Sequence, residues 1–330
     1  MIKQAVILIV KLSVSAILFY LLVAKVGGKT ILYNIRLLNP AAFFAAVGLY
    51  VVASYLSTLR WKLLVPYQSK TSRLFSIYMI GSFFNTYMPG IIGGDAVKAY
   101  YLNKELHATG STLKAPDQIE VPPSLVVAIA SVFMDRYVGL SALLALGILA
   151  FPFGLGYLEK ASVQWPVIWF VPAATSVFIA SSLLIFKFRI GERLKFLFKT
   201  YQYLQFYRSK KHILGRCFIY SIIIQLLTIL SVYVLAKGIS LDTSFLSLLI
   251  FLPIIILVSF LPFSISGIGL REGAFIFLLG STGIPAEKSM TLSIIWFLSV
   301  FVAGVWGLFE YLRFKTMFGR EEKQQPFQIS

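Results

Sequence analysis

Seven polar residues stand within stretches otherwise dominated by apolar side chains: Asn85, Asp95 and Lys98 in one, Asp135 and Arg136 in a second, Arg271 and Glu272 in a third. A charge near the centre of a bilayer costs roughly 2.5–3.5 kcal/mol on insertion scales. Such residues persist in apolar sequence where they pair, face water or bind something polar. An Arg or Lys there suits a phosphate. An Asp or Glu suits a headgroup amine or a proton, and Asn85 suits either hairpin backbone or a headgroup. Structural roles are open as well. Three opposite-sign pairs in one interior compensate one another, and Asp95, directly after Gly93-Gly94, reads as a helix N-cap. Arg271 and Glu272 are consecutive, so a helix points them to different faces and simple mutual pairing is not expected.

Two of the three stretches are broken in the same way. Residues 81–98 carry Pro89, Gly90, Gly93 and Gly94 ahead of Asp95 and Lys98; residues 261–273 carry Pro262, Gly267 and Gly269 ahead of Arg271 and Glu272. Proline ends a helix by removing an amide hydrogen and crowding the preceding turn, while glycine permits positive φ and close backbone approach. Broken backbone at membrane depth survives only where protein or a water-filled cavity satisfies it. A helix that restarts after the glycines is expected to present free amides as an anion-binding end.

Little else in the chain offers chemistry. Cys217 is the one cysteine, and His107 and His212 are the only histidines, so neither a disulfide nor a His/Cys metal site is expected. Gly27-Gly28-Lys29-Thr30 resembles the tail of a nucleotide-binding loop, but Val23 occupies the position of its first glycine and no strand precedes it. No nucleophile–base set is evident, so no enzyme activity, metal or cofactor is expected. Of 330 residues, 58% are hydrophobic and 13% charged, about half the charge of a soluble domain. That excludes a soluble enzyme, a nucleic-acid-binding domain and a disordered chain. The net charge of +17 reads as loop topology and contact with anionic lipid.

The elements that must hold these residues are membrane helices. Apolar runs of spanning length lie at 4–24, 41–59, 124–150, 166–187, 213–236 and 289–312, with the broken regions 74–102 and 244–283 between them. The first run reads as a retained anchor, because Lys11 interrupts it and no small-x-small cleavage site follows. Arg60-Trp61-Lys62 and Trp165-Pro166 read as interfacial anchors. Nine basic residues against Glu192 make 187–216 cytoplasmic; 60–73 and the C-terminal end follow the same rule, while 152–165 and 237–243 are balanced and read as external. The loop with Lys25, Lys29 and Arg36 dissents, and reads as a short interfacial amphipathic segment. The run 124–150 alone supplies the crossing from 60–73 to 152–165, so region 74–102 must enter and return on one face. By the same parity, 244–283 must do so on the other. The expected fold is an all-α polytopic membrane protein of about eight segments, six full spans and two re-entrant hairpins. They form an inverted repeat, about 1–150 and 165–315, in a single membrane domain over 1–330, with a tail at 316–330 and both termini cytoplasmic.

Four motifs together resemble the lysylphosphatidylglycerol synthase transmembrane-region family, also called flippase-like-domain proteins. They are Arg60-Trp61; Phe84-Asn85-x-x-Met88-Pro89-Gly90-x-x-Gly93-Gly94-Asp95-x-x-Lys98; Asp135-Arg136; and Pro262 through Gly267-x-Gly269-x-Arg271-Glu272. The resemblance runs from about residue 10 to 315. Lys98 stands where the family commonly has Arg, which keeps the charge but loses bidentate phosphate geometry. The resemblance implies movement of lipid between leaflets. In two-domain relatives a soluble domain makes the aminoacyl lipid; these 330 residues contain no such domain, and synthase activity is not carried over. The expectation is a lipid translocase of the cell membrane whose hairpin tips take an anionic phospholipid or polyprenyl-phosphate headgroup, with a homo-oligomer open. A secondary transporter of a small polar solute and an accessory subunit of a glycolipid- or lipid-modifying system are the alternatives.

Overall fold

The computed structural model describes residues 2–65, 67, 69–87, 93–108, 113–114, 120–121, 124–160, 165–187, 210–261, 264 and 266–324. Among them are eleven α-helices: α1 (Ile2–Val26), α2 (Gly28–Arg36), α3 (Pro40–Leu64), α4 (Thr71–Tyr87), α5 (Gly93–Ala108), α6 (Leu125–Lys160), α7 (Trp165–Ser182), α8 (Lys211–Gly238), α9 (Phe245–Ser259), α10 (Leu270–Gly280) and α11 (Ala286–Gln324). A π-helical turn, Leu183–Lys187, follows α7, and a two-residue antiparallel pair joins 113–114 to 120–121. Pro89, Gly90 and Pro262, most of the loop 187–216, and the side chains of Trp165 and Pro166 lie outside the described residues.

Among the described residues, four helices are long and apolar enough to cross a membrane: Pro40–Leu64, Leu125–Phe153, Lys211–Gly238 and Ala286–Thr316. A fifth span is reached if α1 and α2, bent by 82° at Gly27, count as one. The run expected at 166–187 is helical throughout, as α7 and the π turn that follows it, and among the described residues it contributes an apolar helix over Trp169–Ile185. The external loop expected from 152 begins later, because α6 continues through Pro152 to Lys160. Large apolar side chains face outward on many elements, among them Tyr20, Phe44, Leu149, Val177 and Phe309, the surface of a protein dissolved in lipid.

At the centre α3 and α8 lie antiparallel. The Arg60 guanidinium donates to Ser221 Oγ (2.8 Å) at one end, and the Asn39 amide donates to the Gly238 carbonyl (2.9 Å) at the other. Residues near 60 and near 211 therefore share one face of the molecule, and residues near 39 and 238 share the opposite one. The packing around this pair has a two-fold character. Exchanging α3 with α8, α4 with α9, α5 with α10 and α6 with α11 turns every substantial helix contact among these eight into another one: α3–α4 into α8–α9, α5–α6 into α10–α11, α4–α11 into α9–α6, α3–α11 into α8–α6. Two apolar cores form, and each draws on helices of both halves. One is built around Phe251, Phe275, Leu279 and Ile295 and takes in Ala46 and Ala150; the other is built around Trp61, Ile77 and Leu102 and takes in Cys217 and Phe314. Many buried hydroxyls donate back to carbonyls one turn earlier, as Thr58 does to Ser54 and Ser299 to Trp296.

Candidate polar site at the hairpin tips

Helices α4 and α5 fold back on one another. The Asn85 side-chain oxygen accepts from the Gly94 amide at 3.0 Å, so α4 caps the start of α5 across the hairpin. The approach is close enough that a Cβ on Gly94 would lie 2.6 Å from Asn85 Oδ1, and one on Gly81 would run into the Lys98 side chain. In α10 the Glu272 carboxylate turns back to accept from the Gly269 amide at 2.6 Å. Gly269 holds φ +87 there, after Ser266 at +51 and Gly267 at +75, which fits backbone that breaks sharply between α9 and α10. The anion-binding helix ends expected from sequence are thus already occupied: Asn85 holds an amide of one, Glu272 an amide of the other.

Two separate ion systems lie at the first hairpin. Asp135 on α6 is fully buried and shared. Arg60 donates to its Oδ1 at 2.8 Å and Lys98 lies 3.4 Å from its Oδ2. Lys98 is bracketed by the Trp61 and Tyr78 rings, 4.5 and 4.1 Å from its ammonium. Two cations therefore share one carboxylate. Beside them Arg136 makes a two-pronged pair with Asp95, Nε to Oδ2 at 2.9 Å and Nη2 to Oδ1 at 2.8 Å. That pair is open: the Arg136 side chain is 47% exposed and Asp95 18%. Asp95 sits in the first turn of α5, where its charge complements the helix dipole, and its carboxylate is committed to Arg136.

At the second hairpin, Arg271 and Glu272 pair with each other after all. Nη2 lies 2.5 Å and Nε 3.1 Å from Glu272 Oε1, and Ser293 on α11 bridges both. The different faces expected of consecutive residues are overcome because Glu272 curls toward the N-terminus of α10 to cap it, which brings its carboxylate beneath the guanidinium. The Arg271 guanidinium also lies 4.8 Å from the Phe297 ring.

The two tips converge on one helix. Tyr87, the last residue of α4, donates to the Phe301 carbonyl at 2.8 Å and stacks 4.1 Å from its ring. Phe301 and Phe297 are one turn apart on the same face of α11, so the tips are anchored to adjacent turns. Of the residues expected from sequence, Lys98 and Asp135 meet in one cluster, Asp95 and Arg136 in the next, and Arg271 and Glu272 in a third; Asn85 serves hairpin backbone.

Sequence reasoning missed Arg60. Read as an interfacial anchor beside Trp61, it is 6% exposed, and Trp61 is fully buried with its indole N–H donating to Ser131 at 3.2 Å. The available signal was Ser54, Ser57 and Thr58, a polar strip of α3 that ends at Arg60.

Helices paired about a central antiparallel couple, with charged tips on two broken hairpins, define a polytopic α-helical membrane protein. The chain belongs to the lysylphosphatidylglycerol synthase TM region family, matching it over residues 8–307. No curated protein matches it.

Proposed function

We propose that the protein moves a phosphate-bearing lipid between membrane leaflets, and that the Asp95–Arg136 pair is where the headgroup is met. In this reading α4–α5 and α9–α10 are re-entrant hairpins that enter and return on opposite faces, giving about eight membrane segments. Their tips line a polar groove between the halves, while the hydrocarbon chains stay in the bilayer.

The observation that carries the reading is the Asp95–Arg136 pair between α5 and α6, whose Arg136 side chain is 47% exposed. Arg136 lies eleven residues, or ~16 Å, along a candidate span. An exposed charge at that depth is tolerated in a groove that admits water or headgroups. A phosphodiester resembles the Asp95 carboxylate in charge and in its two acceptor oxygens, so it can replace Asp95 on the guanidinium without leaving a cation unpaired. Asp95, released, would then face a headgroup amine or take up a proton. The buried Arg60–Asp135–Lys98 cluster has no open face of this kind and acts as the support beneath the pair.

The test is lipid movement in proteoliposomes, with headgroup-labelled phosphatidylglycerol and a membrane-impermeant quencher. Wild type should lose its protected fraction. Arg136→Gln should slow this at least tenfold while eluting as wild type on gel filtration. A protected fraction in wild type that persists across several headgroups and an imposed proton gradient would overturn the proposal, as would an Arg136→Gln protein that translocates at the wild-type rate.

A further inference from the structure

Helix α2 has a role that the hairpins do not explain. Gly27, at φ +94, ends α1 and starts α2 in a single residue: its amide donates to the Val23 carbonyl, and its own carbonyl accepts from Thr30 and Ile31. The resulting 82° bend lays α2 across the line of α1. One face is buried, with Ile31 4% exposed and Ile35 packed on the core. The opposite face carries Lys29, Leu32, Tyr33 and Arg36, continued by Leu37, at the i, i+3, i+4, i+7, i+8 spacing of a single helix face. Leu32, Tyr33 and Leu37 are 61%, 62% and 58% exposed. Lys25, Lys29 and Arg36 are exposed as well, without an acidic partner among the described residues. The first acidic residue of the whole chain is Asp95.

We propose that α2 is a docking surface for anionic phospholipid headgroups in the leaflet on the Asn39–Gly238 face of the protein. The three cations meet lipid phosphates while Leu32, Tyr33 and Leu37 enter the acyl boundary beside them, the arrangement of an interfacial amphipathic helix. Antiparallel α3 and α8 put α2 on the face opposite Arg60 and Lys210, which the loop charges make the outer one. A basic loop is unexpected there under the positive-inside rule. Binding to lipid resolves the exception: the charges are held at the membrane surface by the partner they contact.

The test uses the full-length Cys217→Ser protein with a bimane on Thr30→Cys, in nanodiscs of phosphatidylcholine with one-quarter phosphatidylglycerol. The quencher is a 5-doxyl chain carried by one lipid or the other at equal mole fraction. Doxyl-phosphatidylglycerol should quench at least twofold more strongly, and the preference should fall as salt is raised. It should vanish in Lys25→Gln/Lys29→Gln/Arg36→Gln and survive in Lys25→Arg/Lys29→Arg/Arg36→Lys. Equal quenching by both lipids, a preference that persists in the neutral triple variant, or a label reached by aqueous iodide and not by lipid would each overturn the proposal. So would a label reached by neither, which would mark protein cover. The readout does not depend on translocation, so its failure and that of the translocase reading are separable.

Discussion

Among the described residues, Asp135 is the one carboxylate paired with both Arg60 and Lys98, and that sharing sets an order among substitutions. Asp135→Asn leaves two buried cations facing each other without a counter-charge, whereas Arg60→Met or Lys98→Met leaves a one-to-one pair. Uncompensated buried charge costs about 3–5 kcal/mol. Asp135→Asn should therefore lower the unfolding temperature in detergent by roughly 10 °C and either methionine variant by clearly less, measured by intrinsic fluorescence on heating. An Asp135→Asn protein as stable as Lys98→Met would mean that the cluster is not coupled through this carboxylate. The charged residues themselves were legible, because charge in apolar sequence is conspicuous. Their partners were not: Asp135 is adjacent to Arg136 in sequence yet bonds to Arg60, seventy-five positions away, and Arg271 pairs with its neighbour only because a backbone amide draws Glu272 backward.

Among the elements, the α4–α5 hairpin depends on backbone approach, and its two adjacent glycines are not equivalent. A methyl on Gly94 would collide with Asn85 and with the Gly81 carbonyl, while one on Gly93 meets nothing within 4 Å. Gly94→Ala should destabilise by about 1–3 kcal/mol through overpacking. Gly93→Ala should be neutral, or slightly stabilising through the helix preference of alanine. Thermal unfolding of the two variants side by side decides this, and equal losses would contradict the close contact. The Pro/Gly-containing stretches located the breaks between α4 and α5 and between α9 and α10 from sequence, because proline and glycine act locally. Helix lengths were less legible: apolar runs end where lipid ends, but α6 continues past Pro152 and α1 turns at Gly27, choices made by packing and by one positive φ.

For the whole molecule, the antiparallel α3–α8 pair fixes which loops share a side. With Cys217 replaced by Ser, single cysteines at Lys70 and Lys210 should react with an impermeant maleimide from one side of the membrane, and those at Lys29 and Asp242 from the other. Any other grouping would break the two-fold arrangement of the helices. Charge parity in the sequence led to the expectation of two related halves, whereas nothing in the sequence marks Phe297 and Phe301 as the shared anchor of both tips. The shared carboxylate has one more consequence, an electrical one. Arg60, Lys98 and Asp135 together keep one formal positive charge inside the protein, so any rocking of the halves that displaces this cluster moves charge through the transmembrane field. Carried a third of the way across 100 mV, a single charge shifts a conformational equilibrium by about 0.8 kcal/mol, nearly fourfold, which would make the two end states of such a motion sensitive to voltage.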